Sequence, residues 1–261
     1  MSNHRIPKYA LYRSLWRAVD WLFPPTCGGC GSPGSSWCDP CHQGTAILST
    51  IPTCRICGRP WEAGRACPSC QQTPPAFSQL VSWALFSGSI RNAIHRFKYR
   101  NDIGMGETLS SFLLDIFNQA GWDVDLIIPV PLNRKRHRQR GYNQAILLAR
   151  PLSLATGIPM STSALIRNRP THSQVGLNFT QRIDNVHAAF TADSKEVKSK
   201  CVLLIDDVAT TGATLNACSE ALQKAQAGRV FALTLTRAAL GSDSFHKLSN
   251  IKEENAFKPN I

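Results

Sequence analysis

VLLIDDVATTGATL, residues 202–215, holds a strand, an acidic edge, an anion-binding loop and a helix start in unbroken order. Four apolar residues, Val202 to Ile205, read as a buried strand. Asp206 and Asp207 follow, then the small, hydroxyl-rich loop Ala209, Thr210, Thr211, Gly212, Ala213 and Thr214, and then a helix. Backbone N–H groups at a helix N-terminus, helped by threonine hydroxyls, cradle a dianionic phosphate. Gly212 permits close backbone approach. The two carboxylates can accept hydrogen bonds from vicinal hydroxyls or hold Mg2+ through water. The competing reading is a strand that ends in a surface Asp-Asp turn. A Walker B strand would need a Gly-x-x-x-x-Gly-Lys-Ser/Thr loop upstream, and the sequence has none.

Phosphate plus diol describes a ribose 5-phosphate. The run resembles the 5-phosphoribosyl 1-pyrophosphate (PRPP) signature of type I phosphoribosyltransferases. The surrounding pattern suits that fold. Strands are expected at 80–87, 125–130, 200–206 and 229–236. Helices are expected at 88–99, 105–119, 142–156 (with a kink at Pro151) and 213–226. Strands separated by helices imply an α/β fold with a parallel sheet, whose ligands sit at the carboxyl ends of the strands.

A second cluster follows the strand at 125–130. Residues 134–140, RKRHRQR, place five cations within seven positions. Arg134, Arg138 and Arg140 there suit a pyrophosphate or a nucleic-acid backbone, and a solvated loop is the plainer alternative. A third, polar stretch, 167–190, offers Arg169, Thr171, Gln174, Arg182 and Asn185. By residues alone it reads equally as an ordinary loop or as one able to close over a pyrophosphate and exclude water, and it is the family resemblance given below that favours the second. Arg91, Arg96, Lys98 and Arg100, interleaved with His95, Phe97 and Tyr99, add a weak signal for a nucleic-acid strand.

The cysteines divide the chain. Eight of ten lie in four Cys-x-x-Cys pairs: Cys27/Cys30, Cys38/Cys41, Cys54/Cys57 and Cys67/Cys70. Two knuckles of this kind point four thiolates at one tetrahedral Zn2+. Pairing in sequence gives Cys27, Cys30, Cys38, Cys41 and Cys54, Cys57, Cys67, Cys70; an interleaved cross-brace is the open alternative. A disulfide framework competes, and so does a redox Cys-x-x-Cys, for which one pair would do. With few large apolar residues, the segment needs metal for much of its folding free energy, so the zinc reads as structural. Cys201 and Cys218 read as core filling.

The expected organisation is an amphipathic N-terminal helix in 1–25, a double zinc ribbon in 26–72, a phosphoribosyltransferase-like domain in 78–240 and a polar tail in 241–261. Leu11, Leu15, Val19 and Leu22 mark the helix's apolar stripe, read as packing on the main domain or, alternatively, lying on a membrane surface. The 261 residues carry 29 Lys plus Arg against 17 Asp plus Glu, a formal charge of +12, which favours polyanions. No apolar stretch is long enough for a membrane span. Arg13, Arg17 and Asp20 interrupt the one candidate signal-peptide core, which argues against export.

Taken together the chain resembles the ComF/GntX family of competence and DNA-utilisation proteins. The carrying motifs are Pro-Pro-Thr-Cys-x-x-Cys at the first knuckle, Pro129-Val-Pro-Leu with Arg140-Gly-Tyr-Asn-Gln, Arg-x-Thr-x-x-Gln-x-x-Leu from Arg169, Arg182-x-x-Asn185 and the Asp-Asp loop. The family usually shows Phe where this chain has Tyr142. The third stretch also resembles a flexible loop of glutamine PRPP amidotransferase, whose glutaminase domain this chain lacks. The resemblance implies a cytoplasmic protein that handles imported single-stranded DNA with DNA-uptake or recombination proteins, or uses external DNA as nutrient. It also implies PRPP bound with Mg2+, catalytic roles for Asp206, Asp207 and Arg169, and structural zinc. A non-catalytic single-stranded-DNA adaptor and an ordinary purine or pyrimidine salvage transferase are the alternatives.

Overall fold

The computed structural model describes residues 6–62, 64–100, 102–168 and 189–239. The central sheet contains β1 (Gln79–Leu85), β2 (Leu126–Pro129), β5 (Val202–Ala209) and β6 (Val230–Arg237) in the order β1-β6-β5-β2, all parallel. Both faces are covered, so strands read as continuous apolar runs: all four residues of β2 are buried, as are the first four of β5. Alternate residues serve opposite faces. Leu203 and Ile205 join the core with α4 (Gly88–Tyr99), α5 (Met105–Ala120) and α7 (Gln144–Thr156). Val202 and Leu204 join the other core, with α9 (Ala213–Lys224) and the antiparallel pair β3 (Leu165–Arg167) and β4 (Phe190–Ala192). The expected α/β parallel-sheet fold is the fold observed.

Three local readings change. Residues 134–140 form a helix, α6, not a loop. Its charges gave no apolar period to read, but Asn133 caps it by accepting from the Lys135 N–H and Gly141 ends it at φ +76°. β5 continues through both aspartates to Ala209, so Asp206 and Asp207 face opposite sides of a strand. The N-terminal helix α1 (Ile6–Leu22) turns its leucine stripe outward: Leu11, Leu15, Val19 and Leu22 are all exposed. Its opposite face holds the body instead, through Trp16 against Gly104 and an Arg13–Glu107 ion pair at 3.4 Å. Pro151 sits inside α7, which runs on through it.

The cysteine-rich segment lies along β1, the sheet's edge strand. The Leu80 N–H donates to the Ile56 carbonyl (2.7 Å) and the Leu85 N–H to that of Ala46 (2.9 Å). This pairing covers an edge that would otherwise expose unpaired backbone groups. A Cβ on Gly58 would meet the Leu80 carbonyl at 2.5 Å, so the Cys54/Cys57 knuckle reaches β1 only because that position is glycine. Trp37 packs into the cluster of Trp83 and Phe112, whose rings stack 4.0 Å apart.

Candidate phosphate site and metal centres

Register brings the two basic and acidic motifs together. Pro129 lies opposite Ile205, and the Val130 N–H donates to the Ile205 carbonyl at 2.9 Å. The carboxyl ends of β2 and β5 therefore open side by side. Asp207 is buried and forms an ion pair with Lys98 Nζ at 2.8 Å. Asp206 is half-buried, and its carboxylate accepts the Asp207 N–H at 2.9 Å. After Ala209 the chain turns outward: Thr210, Thr211, Ala213 and Thr214 are exposed, and Gly212 takes φ +87° at the N-cap of α9. The first N–H groups of a helix have no intrahelical acceptor, so this turn presents donors to solvent. A side chain at Gly212 would be strained, and Gly212→Val is expected to lower stability by about 1–2 kcal/mol, measured by denaturant unfolding.

Burial, and then the charge of Asp207, push the Asp206 carboxyl up to about 7, against the pull of the Asp207 N–H, Lys98 and Arg136. A carboxyl that ionises later in the fold than in the unfolded chain weakens the fold as pH rises between the two values. Stability is therefore expected to fall between about pH 4 and about pH 7. Asp206→Asn should flatten that fall in denaturant titrations at pH 5 and pH 8; an unchanged slope would contradict the burial of this charge.

The basic residues distribute themselves unevenly. Arg136 on α6 and Arg167 on β3 both act electrostatically on Asp206. Arg138 is exposed. Arg140 is turned toward α4, donating to Tyr99 Oη (3.2 Å) and Gln144 Oε1 (3.0 Å) with its guanidinium 4.9 Å from the Tyr99 ring centre. The backbone of Arg134 opens α6, while its side chain lies outside the described part. Arg169, Thr171, Gln174, Arg182 and Asn185 also lie outside the described residues. The cationic row on α4 is split: Arg91, His95, Tyr99 and Arg100 are exposed, and the others are engaged. Lys98 is paired with Asp207, and Arg96 is held by Asp102, Thr26 and the Cys27 carbonyl; Phe97 is buried. Lys98 is the site residue that sequence reasoning missed. Its signal was its place one residue after Phe97, at the border of the buried face of α4.

The eight cysteines form two sets in sequence order, each with its sulfurs within 4.8 Å of one another. Tetrahedral Zn2+ with Zn–S near 2.3 Å requires sulfurs about 3.8 Å apart. Cys30 and Cys38 are 3.6 Å apart, Cys57 and Cys67 3.8 Å. These spacings exclude the interleaved cross-brace and are far longer than a disulfide bond. Burial resists thiolate formation at Cys27, yet the N–H groups of Cys30, Cys38 and Gly29 hold its thiol down to about 6. Cys54 is likewise held down to about 7 by the N–H groups of Cys57, Cys67 and Ile56. Each set thus offers four sulfurs at the spacing of a tetrahedral structural zinc, with Cys27 and Cys54 poised as thiolates while burial pushes Cys41 and Cys70 up, so that filling the cage with metal must drive their deprotonation.

Residues 18–71 match the Double zinc ribbon domain family. The chain is 32% identical over 199 residues to Competence protein F of Haemophilus influenzae, covering 73% of this chain and 87% of that protein. The chain belongs to the ComF/GntX family. Other members include DNA utilization protein YhgH of Escherichia coli K12, at 31% identity over 77% of this chain and 89% of its own, and competence protein ComFC of Bacillus subtilis, at 30% over 71% and 78%. Among solved structures, adenine phosphoribosyltransferase of Thermoanaerobacter pseudethanolicus is similar at 16% identity and a TM-score of 0.31, over 49% of this chain and 68% of that one. For this ComF/GntX protein, the two cages explain why a cysteine-rich segment folds on the flank of the parallel sheet: a structural zinc suits each cage, the second set packs on β1, and the first packs on α4.

Proposed function

We propose that the protein binds PRPP, with Mg2+, at the carboxyl ends of β2 and β5, and serves in DNA uptake or in the use of external DNA. The observation that carries this reading is the edge of half-buried Asp206 and buried Asp207 running directly into the open, glycine-turned start of α9. The N–H groups and hydroxyls of residues 209–214 take the 5-phosphate. Asp206 and Asp207 accept the ribose hydroxyls, and Lys98, released from Asp207, remains as a cation at the site. Mg2+ held through water by these carboxylates would neutralise the pyrophosphate. Arg134, Arg138 and Arg169 lie in the segments assigned to the leaving group, with Thr171 and Gln174 in the closing loop. Arg140 acts through α6, which it ties to α4. If the site turns over, the reaction is displacement at ribose C1: the acceptor's bond to C1 forms as the C1–O bond to pyrophosphate breaks. Water must be kept out, which is the task given to the third stretch.

Calorimetry of PRPP binding with and without Mg2+ tests the reading. Saturable binding that disappears in Asp206→Asn plus Asp207→Asn supports it, and binding that survives the double substitution overturns it. Pyrophosphate release measured across free purines, pyrimidines, ammonia and single-stranded DNA separates a salvage transferase from a competence role.

A single-stranded nucleic acid is the partner that α6 favours. Lys135, Arg136, His137 and Arg138 are exposed in one short helix, next to Tyr99, which is 61% exposed and backed by Arg140. Stacking on Tyr99 with phosphates along α6 predicts binding that weakens steeply with salt. Fluorescence anisotropy with dye-labelled single-stranded oligonucleotides of several sequences is expected to show a log–log salt slope that drops in Arg136→Ala plus Arg138→Ala; an unchanged slope would remove α6 from the interface. Thiolate cages fit a reducing compartment, which makes the cytoplasm the proposed location. Among the described residues no helix is long and apolar enough to cross a membrane.

A further inference from the structure

Arg237 ends β6 and is fully buried. Its Nη1 donates to the carbonyls of Ala209 (3.0 Å) and Thr210, the two residues that lead into the phosphate loop. Its buried Nε and Nη2 meet no oxygen or nitrogen acceptor among the described residues; the sulfur of Cys57 is the acceptor within reach. Among the described residues no carboxylate forms an ion pair with it. The ionisable groups facing it are the thiols of Cys57 and Cys70 and the second cation Arg59, whose own Nε is buried without a partner. A buried guanidinium without a counter-charge is strongly unfavourable. Four thiolates around one Zn2+ carry a net charge of −2, and thiolate sulfurs accept hydrogen bonds. The loaded centre Cys54/Cys57/Cys67/Cys70 therefore supplies the counter-charge that Arg237 lacks and turns the Cys57 sulfur into a stronger acceptor, while the Cys27/Cys30/Cys38/Cys41 centre packs against α4, whose Asn92 and Arg96 donate to the Gly29 and Cys27 carbonyls. A second tie runs parallel. Phe77, seven residues after Cys70, is buried, and a Cβ on Gly212 would lie 4.0 Å from its ring. Asn216 and Gln223 of α9 hold the backbone of Ala76.

We propose that Arg237 is a positioning residue that couples the second zinc centre to the phosphate loop, so that metal in Cys54/Cys57/Cys67/Cys70, and not in the first centre, orders residues 209–214. The coupling is a property of the protein alone; only its effect on sugar-phosphate affinity rests on the function proposed above.

The test is hydrogen exchange by mass spectrometry on the zinc-loaded full chain without ligand, together with zinc release to a chromogenic chelator. Arg237→Lys keeps the charge and drops the fork, and serves where Arg237→Met fails to fold. Arg237→Lys is expected to speed exchange in peptides spanning 207–216 by roughly tenfold and to speed release of one zinc of two. Cys30→Ser, which opens the exposed corner of the first centre, is expected to leave exchange in 207–216 unchanged. Unchanged exchange in Arg237→Lys, or equal loosening of 207–216 in Cys30→Ser, would overturn the coupling. A separate measurement of PRPP protection in the unsubstituted protein addresses the sugar-phosphate assignment: loss of protection there with intact coupling would remove the ligand and leave the Arg237 link standing.

Discussion

Cys57→Ser is expected to abolish cooperative folding of the whole chain, whereas Cys30→Ser is expected to leave a folded protein with one zinc and a modestly lower melting temperature. The asymmetry follows from burial. Cys54, Cys57, Cys67 and Cys70 are all buried and belong to the same apolar cluster as Phe77, Leu80, Leu204 and Leu222. Losing a ligand there discards zinc-binding free energy on the order of 10 kcal/mol, comparable to the entire stability of a domain. It also leaves three sulfurs and the Arg237 guanidinium buried without a counter-ion. Cys30 is exposed and Cys38 half-exposed, so the first centre can lose its metal with less damage to the core. Circular dichroism melts and zinc content per chain decide the matter. Two variants that melt within a few degrees of each other would contradict this picture.

The second large effect concerns the two aspartates, which are not equivalent. Asp207→Asn strands the Lys98 ammonium, which is mostly buried at 19% side-chain exposure, beside a neutral amide. A loss of about 1–3 kcal/mol in stability is expected. Asp206→Asn removes a carboxyl that burial and Asp207 hold at about 7. It should therefore stabilise the fold at pH 8, by about 1–2 kcal/mol, because the unfolded chain no longer gains from ionising it. Both substitutions should nonetheless abolish PRPP binding, since each replaces an anionic, acceptor-only carboxylate facing the ribose hydroxyls with a neutral amide that keeps one acceptor and adds a donor. Denaturant unfolding at pH 8 reads the opposite signs directly. If both variants lost stability equally, the pair would be a plain structural turn.

The sheet was readable because each buried strand is a short apolar run between turn residues, and because Asp206 to Leu215 keeps a strict order that ordinary surface turns do not need. The metal ligands were readable because Cys-x-x-Cys spacing is itself the geometry of a knuckle. Other features depend on what lies far away in sequence. Nothing local to Lys98 says that the end of α4 will land beside β5. Nothing in the ending Thr-Leu-Thr-Arg of β6 says that Arg237 will be enclosed between a cysteine cage and a loop. The stripe on α1 misled because periodicity identifies an apolar face without saying whether Trp16 and Arg13 on the other face bind the body more strongly. Arg96 and Arg140 looked like free cations because charge runs show composition, not partners.

A crystal structure with PRPP and Mg2+ tests the central claim most directly. The expected result is the 5-phosphate against the N–H groups and hydroxyls of residues 209–214, the ribose hydroxyls on Asp206 and Asp207, and the Lys98–Asp207 pair opened. Crystals soaked to saturation in which that turn binds nothing, with Lys98 still on Asp207, would contradict it.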